Sequence, residues 1–163
     1  MSKITALLVL EALIALSLHG QAKATQTEIV YKVEGIHAYL FYETLGSVDD
    51  RDLVSGRFAL WNTIIGAGDA KGPSNTTMIV VDLTGPSFVS GTKGTVKFSA
   101  KNGTRVLRRE TVSLESFFSE TGKLSIPFLV VGTGCSTLTV DVGIAVKGKT
   151  HAFTKKLEYP CGE

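Results

Sequence analysis

Leu138-Thr139-Val140-Asp141-Val142-Gly143-Ile144-Ala145-Val146 alternates large apolar residues with small or polar ones along its whole length. A period of two sends Leu138, Val140, Val142, Ile144 and Val146 to one face. That is the mark of a strand with one side on a core and the other in water. Upstream, Leu124, Ile126, Phe128 and Val130 share a face in the same way. Pro127 lies among them and cannot donate to a ladder, which predicts an edge strand or a bulge there. Further strands are expected over 28–33, 37–42, 57–63, 77–84, 95–101 and 104–111. No long segment carries a helical period, and Ser113–Phe118 has room for one short turn.

The links between these runs are turn-like. Asn102-Gly103 tolerates positive φ and predicts a hairpin turn. Lys147-Gly148-Lys149 predicts a second hairpin between the last two strands. A register centred on Gly148 sets Cys135 opposite Cys161 but matches Val142 with Thr154 and Val140 with Lys156. A Gly148-Lys149 turn matches Ile144 with Phe153 and Val140 with Leu157, and offsets the cysteines by one. Face matching favours the second register. Both bring the thiols together at the base of the hairpin. Seven or more short strands with Gly-rich turns read as an all-β fold, an antiparallel β-sandwich of immunoglobulin-like arrangement. The central Trp between two bridged Cys of antibody domains is absent, because Trp61 precedes both cysteines.

The 163 residues, 44% hydrophobic and 20% charged, exclude a disordered, collagenous or disulfide-dense chain. The start is a targeting signal in character. Lys3 precedes an apolar run over 4–18, and Ala22-Lys23-Ala24 supplies small residues at both ends of a cleavage triplet. Residues 1–24 are therefore expected to be a signal peptide, and 25–163 a single sandwich domain. The run is too short and too interrupted for a membrane anchor, and no later stretch is suited to span one. Export to the periplasm or the extracellular space follows, and the even cysteine count then predicts one disulfide, Cys135–Cys161. The formal charge of +2 conceals an asymmetry. Acidic residues dominate up to Thr92, and basic residues dominate beyond it.

Several motifs fail on context. Gly143-Ile144-Ala145-Val146-Lys147-Gly148-Lys149-Thr150 fits the phosphate-loop pattern, but strands stand where a helix is required. Ser90-Gly91-Thr92-Lys93 fits S-x-x-K but lies in a Gly-rich loop. After signal removal only His37 and His151 remain, both expected near the surface. Asp49, Asp50 and Asp52 lack the spacing of a Ca²⁺ loop. No catalytic residue, metal ligand or cofactor is assigned.

Two surfaces are candidates for partner binding. Trp61 and Asn62 run through Ile64 and Ile65 into a Gly-rich loop over 66–74. Trp61 either fills the core with Ile65 or serves as an interface anchor. Around the Asn102-Gly103 hairpin, Lys97, Lys101, Arg105 and Arg108 gather positive charge, with Lys97 and Arg108 expected opposite each other and Lys93 and Arg109 adding charge nearby. Such a patch fits an acidic protein, or an anionic glycan or lipid surface. Nucleic acid is not expected, because interleaved aromatics are missing. The expected function is an exported, non-catalytic binding or structural module. A small secreted hydrolase or metal-dependent enzyme is the alternative.

Overall fold

A computed structural model describes residues 31–55, 59–88, 92–159 and 161. The expected signal peptide, Arg57, Ser90 and the first residues of the 28–33 strand lie outside them. The described chain is all-β. Ten strands form, β1 (Lys32–Tyr42), β2 (Ser47–Val48), β3 (Leu60–Asn62), β4 (Ala67–Gly68), β5 (Thr76–Thr84), β6 (Gly94–Asn102), β7 (Arg105–Ser113), β8 (Lys123–Val131), β9 (Leu138–Val146) and β10 (Lys149–Leu157). Two 3₁₀ turns, Leu53–Ser55 and Leu114–Ser116, interrupt them. The second follows Ser113, whose hydroxyl accepts from the Glu115 N–H, and it occupies the site of the expected short turn.

Two four-stranded antiparallel sheets run β2-β1-β5-β8 and β10-β9-β6-β7, and β3 with β4 makes a small third one. The alternating residues of β1, β5 and β8 meet those of β6 and β9 in one core. At its centre Phe98 of the second sheet stacks on Phe128 of the first, with ring centroids 4.1 Å apart and planes 5° from parallel. This arrangement is consistent with a β-sandwich.

Where the expected 28–33 strand is described, at Lys32 and Val33, it runs on into the expected 37–42 strand as one long strand. Glu34 is an extra residue that bulges β1 against β5, so the alternation slips by one without ending the strand. Pro127 sits opposite Val80 on β8, an edge strand. Arg108 Nη1 donates to the Leu129 carbonyl from the neighbouring sheet at 2.9 Å. That carbonyl points away from β5. Backbone groups alternate sides along a strand, so the N–H that Pro127 lacks would also have faced the free edge.

Both hairpins depart from the expected registers. The last turn is Lys147-Gly148, with φ of 51° and 77°, and β10 pairs Phe153 with Val142, Lys155 with Val140 and Leu157 with Leu138. Lys155 thus falls on the inward face. It lies on the edge strand, and its Nζ reaches the Ile36 carbonyl of β1 at 3.1 Å, so the charge is satisfied without entering the core. The strands stop at Leu138 and Leu157, and the disulfide joins Cys135 to Cys161 beyond them. The other hairpin turns on Gly103-Thr104, closed by Asn102 opposite Arg105. Leu107 then bulges β7, so Lys97 faces Thr111 and Arg108 faces Ala100. The expected Lys97–Arg108 pair does not form.

Candidate functional site

Between β1 and β5 the chain makes a long excursion over 43–75 and builds one end of the molecule. Its root is a covered carboxylate. Asp49 is fully covered in its side chain. The Tyr42 hydroxyl donates to it, as do Arg51 Nε and Nη2, each at 2.9 Å. Burial works against the Asp49 charge, but the bonds from Arg51 and Tyr42 outweigh it and hold the carboxyl well below its usual range. The Arg51 guanidinium also donates to the Asp69 carbonyl, and the Lys71 N–H donates to the Tyr42 hydroxyl at 3.0 Å. The returning segment through Asp69 and Lys71 is thereby tied to β1.

The β3–β4 hairpin rises from this root. Leu60 is buried and forms a parallel bridge with Cys161. The Asp69 N–H bonds the Ala59 carbonyl, and the Ala59 N–H bonds the Asp69 carboxylate, both at 2.9 Å. At the tip, Asn62 Oδ1 accepts from the Ile64 N–H at 3.0 Å, an Asx turn. The carbonyl of buried Thr63 accepts from the N–H groups of Gly66 and Ser74. Gly66 adopts φ of 71°, and a Cβ there would lie 2.6 Å from the Gly72 carbonyl carbon. Only glycine allows this approach.

The tip therefore presents its side chains in a fixed arrangement. Trp61 is 66% exposed, Ile64 59% and Ile65 69%. Leu45, also exposed, stands beside Gly72 at the back of the turn. Trp61 and Ile65 are not in the core, the first of the two placements the sequence leaves open. The disulfide underpins the same hairpin, with Cys135 Sγ 3.8 Å from Thr63 Oγ1 and Ile64 packed over Gly134.

The basic residues do not converge. Lys97 is exposed on the outer face of the second sheet, and Arg105 is exposed at the hairpin end. Lys101 pairs with Asp141 at 2.7 Å and, ahead of the opposing effect of burial, holds that carboxyl below its usual range. Arg108 lies on the other face, paired with Glu110 and bonded to β8. Its work is to join two sheet edges. Arg109, expected only as a nearby charge, shares the outer face with Lys97 in place of Arg108, because the Leu107 bulge reverses the order of faces.

The remaining polar groups also take definite places. His37 lies within β1 rather than at its head. Its Nδ1 is 2.7 Å from Asp52 Oδ2 and its Nε2 3.3 Å from Asp82 Oδ2. Ser125 Oγ donates to the other oxygen of Asp82 at 2.6 Å. The serine thus meets a carboxylate where a Ser-His-Asp set requires it to meet the imidazole. Burial disfavours the Asp52 charge, but the Ala38 N–H, His37 and the Val54 N–H outweigh it and lower the Asp52 pKa. Asp49, Asp50 and Asp52 do not converge on one point: Asp49 takes Arg51 and Tyr42, Asp52 takes His37, and Lys71 lies 2.8 Å from Asp50 and 3.9 Å from Asp49. The Gly148-Lys149-Thr150 end of the phosphate-loop pattern enters a strand. His151 is exposed on β10.

No family model matches this chain, and no curated protein is similar to it. Among the described residues, no helix is long and apolar enough to cross a membrane.

Proposed function

We propose that this protein is an exported, non-catalytic binding module that docks a protein partner through the β3–β4 hairpin. One observation carries the reading: Trp61, Ile64 and Ile65 stand in solvent on a turn that glycines, an Asx turn and a disulfide hold in place. Large apolar side chains exposed together mark an interaction surface. Trp is a frequent energetic anchor, and a pre-formed turn lowers the ordering cost of binding. Asn62, Glu43 and Lys71 provide the polar rim that protein interfaces share. The disulfide fits an oxidising, exported location, and residues 1–24 fit a cleaved signal.

The scaffold in this reading is a single immunoglobulin-like domain. With the three short strands set aside, β1, β5 and β8 take the places of A, B and E, and β10, β9 and β6 those of G, F and C. β7 is the fourth strand in chain order, and it pairs with β6 rather than with β8 as in the constant type. The long excursion is then an elaborated A–B connection on a rigid sandwich, the kind of place where binding residues gather.

The test is site-specific photocrosslinking in the native compartment, with the photoreactive residue at Ile65 and, as control, at Thr154 on the remote sheet face. A discrete adduct from position 65 alone, lost on Trp61→Ser, is the expected result. Equal adducts from both positions, or an adduct indifferent to Trp61→Ser, would overturn the reading. So would stoichiometric metal or hydrolytic turnover in the purified protein, which would favour the enzyme alternative.

A further inference from the structure

The outer face of the second sheet holds a depression that the docking hairpin does not use. Gly143 of β9 lies between Lys97 of β6 and Ala152 of β10. Nothing stands within 4 Å of the point its Cβ would occupy. With Ser99, Arg109, Thr111 and Thr154 along its sides, the depression forms a shallow groove of about 400 Å³, within the size range of small-ligand sites.

Its charges are arranged unequally. Lys97 faces Thr111 and Ser99 faces Arg109, so the two cations occupy neighbouring rungs of one face. Neither has an ion-pair or hydrogen-bond partner among the described residues. Two acids also line the groove, and both are engaged: Asp141 by Lys101 at 2.7 Å and by the Thr154 hydroxyl at 3.0 Å, and Glu110 by Arg108. Two cations therefore flank the groove without a counter-charge. The Ser99 hydroxyl in the same wall is covered and has no hydrogen-bond partner. Leaving a covered hydroxyl unmet is unfavourable, and a ligand hydroxyl would remove that cost.

We propose that this groove binds an acidic saccharide, one uronic acid unit at a time, with its carboxylate between Lys97 and Arg109. The Arg109 fork suits a planar carboxylate, and Lys97 adds a point charge. The bare backbone at Gly143, with Ala152 beside it, lets the apolar face of a pyranose ring lie close against the sheet. Ser99, on rotation of its side chain about the Cα–Cβ bond, and Thr111 meet the ring hydroxyls. The site stands independently of the hairpin, on the other sheet.

The test is an amide NMR titration of the mature protein with trigalacturonate, with neutral galactotriose and sulfate as comparison arms. The expected result is saturable trigalacturonate binding with shifts centred on Gly143, Lys97 and Arg109. The neutral sugar should bind at least tenfold more weakly. The exposed pair Lys97→Gln/Arg109→Gln should weaken binding at least tenfold, and Gly143→Val, which fills the depression, should do likewise while preserving the rest of the spectrum. If Gly143→Val does not fold, the charge pair carries the test. Three results would overturn the proposal: equal binding of the neutral sugar, shifts centred at Arg105 instead, or sulfate binding that matches trigalacturonate. The last would mean an unselective cationic patch. Absence of any binding would overturn it equally.

Discussion

The Tyr42 hydroxyl donates to the Asp49 carboxylate at the root of the excursion that carries Trp61. Asp49 also takes the Arg51 fork, and through Arg51 the network reaches Asp69 of the hairpin's return. Stability and presentation of the surface are coupled here. Asp49→Ala takes the acceptor from the covered Tyr42 hydroxyl and the carboxylate from the partly covered Arg51 guanidinium. A loss of about 2–4 kcal/mol in urea unfolding is expected, below the cost of breaking a fully buried pair, because Arg51 is one-third exposed.

The same carboxylates set the acid limit. Asp49, Asp52 and Asp141 all have folded-state pKa values below their ordinary range. A depressed carboxyl stabilises the fold above its unfolded pKa of about 3.9, and that contribution is lost as pH falls through the folded value. Melting temperature should hold from neutrality down to about pH 5 and then fall. Asp49→Asn should flatten that fall. An unchanged acid limb in Asp49→Asn would show that this network does not govern it.

The core depends on the contact between sheets. Phe98 and Phe128 are buried and stacked. Truncating Phe128 to Ala removes that ring contact and leaves a cavity, so about 3–5 kcal/mol should be lost. Phe128→Leu should cost clearly less. Equal costs would mean that the site collapses around either replacement.

Cys135 and Cys161 close a loop spanning 26 positions, for which the chain-entropy model gives about 3–4 kcal/mol. Thiol titration of exported, unfolded protein should find no free thiol. The double Cys→Ala variant should unfold at lower urea, and exchange should quicken at Thr63 and Ile64, which lean on the bridge. Two free thiols in the exported protein would refute the pairing.

Gly66 is the residue on which the turn's rigidity depends. Gly66→Ala forces a Cβ against Gly72 at a φ that L-residues rarely adopt, a local cost of about 1–3 kcal/mol. Amide exchange at Gly66 and Ser74, both bonded to the Thr63 carbonyl, should accelerate, while that of Phe98 and Val142 stays slow. Uniform acceleration would mean that the hairpin and the core open as one unit.

Much of the fold was legible because burial follows a period of two. The bounds of β9 coincide with the alternating run from Leu138 to Val146, and Pro127 pointed to an edge. Register was less legible. The Lys147-Gly148 turn places a lysine at positive φ, which composition disfavours, and the edge position that lets Lys155 reach Ile36 is a tertiary fact. The Leu107 bulge, which moves Arg108 off the expected face and leaves Arg109 on it, has no sequence mark. The apolar tip was visible as Trp61 with Ile64 and Ile65, but exposure depends on a root that the sequence hides. Asp49 reads as one member of an acidic run, and nothing local marks it as the covered partner of Tyr42 and Arg51.

Trp61 is the chain's one tryptophan, so its fluorescence reports the docking surface directly. The decisive measurement is acrylamide quenching of Trp61 in the isolated mature protein and again in the complex captured from the native compartment. Trp61 should be nearly as quenchable in the isolated fold as in the urea-unfolded chain, and strongly protected in the complex. Protection in the isolated protein, or no gain of protection on binding, would contradict the hairpin as the docking anchor.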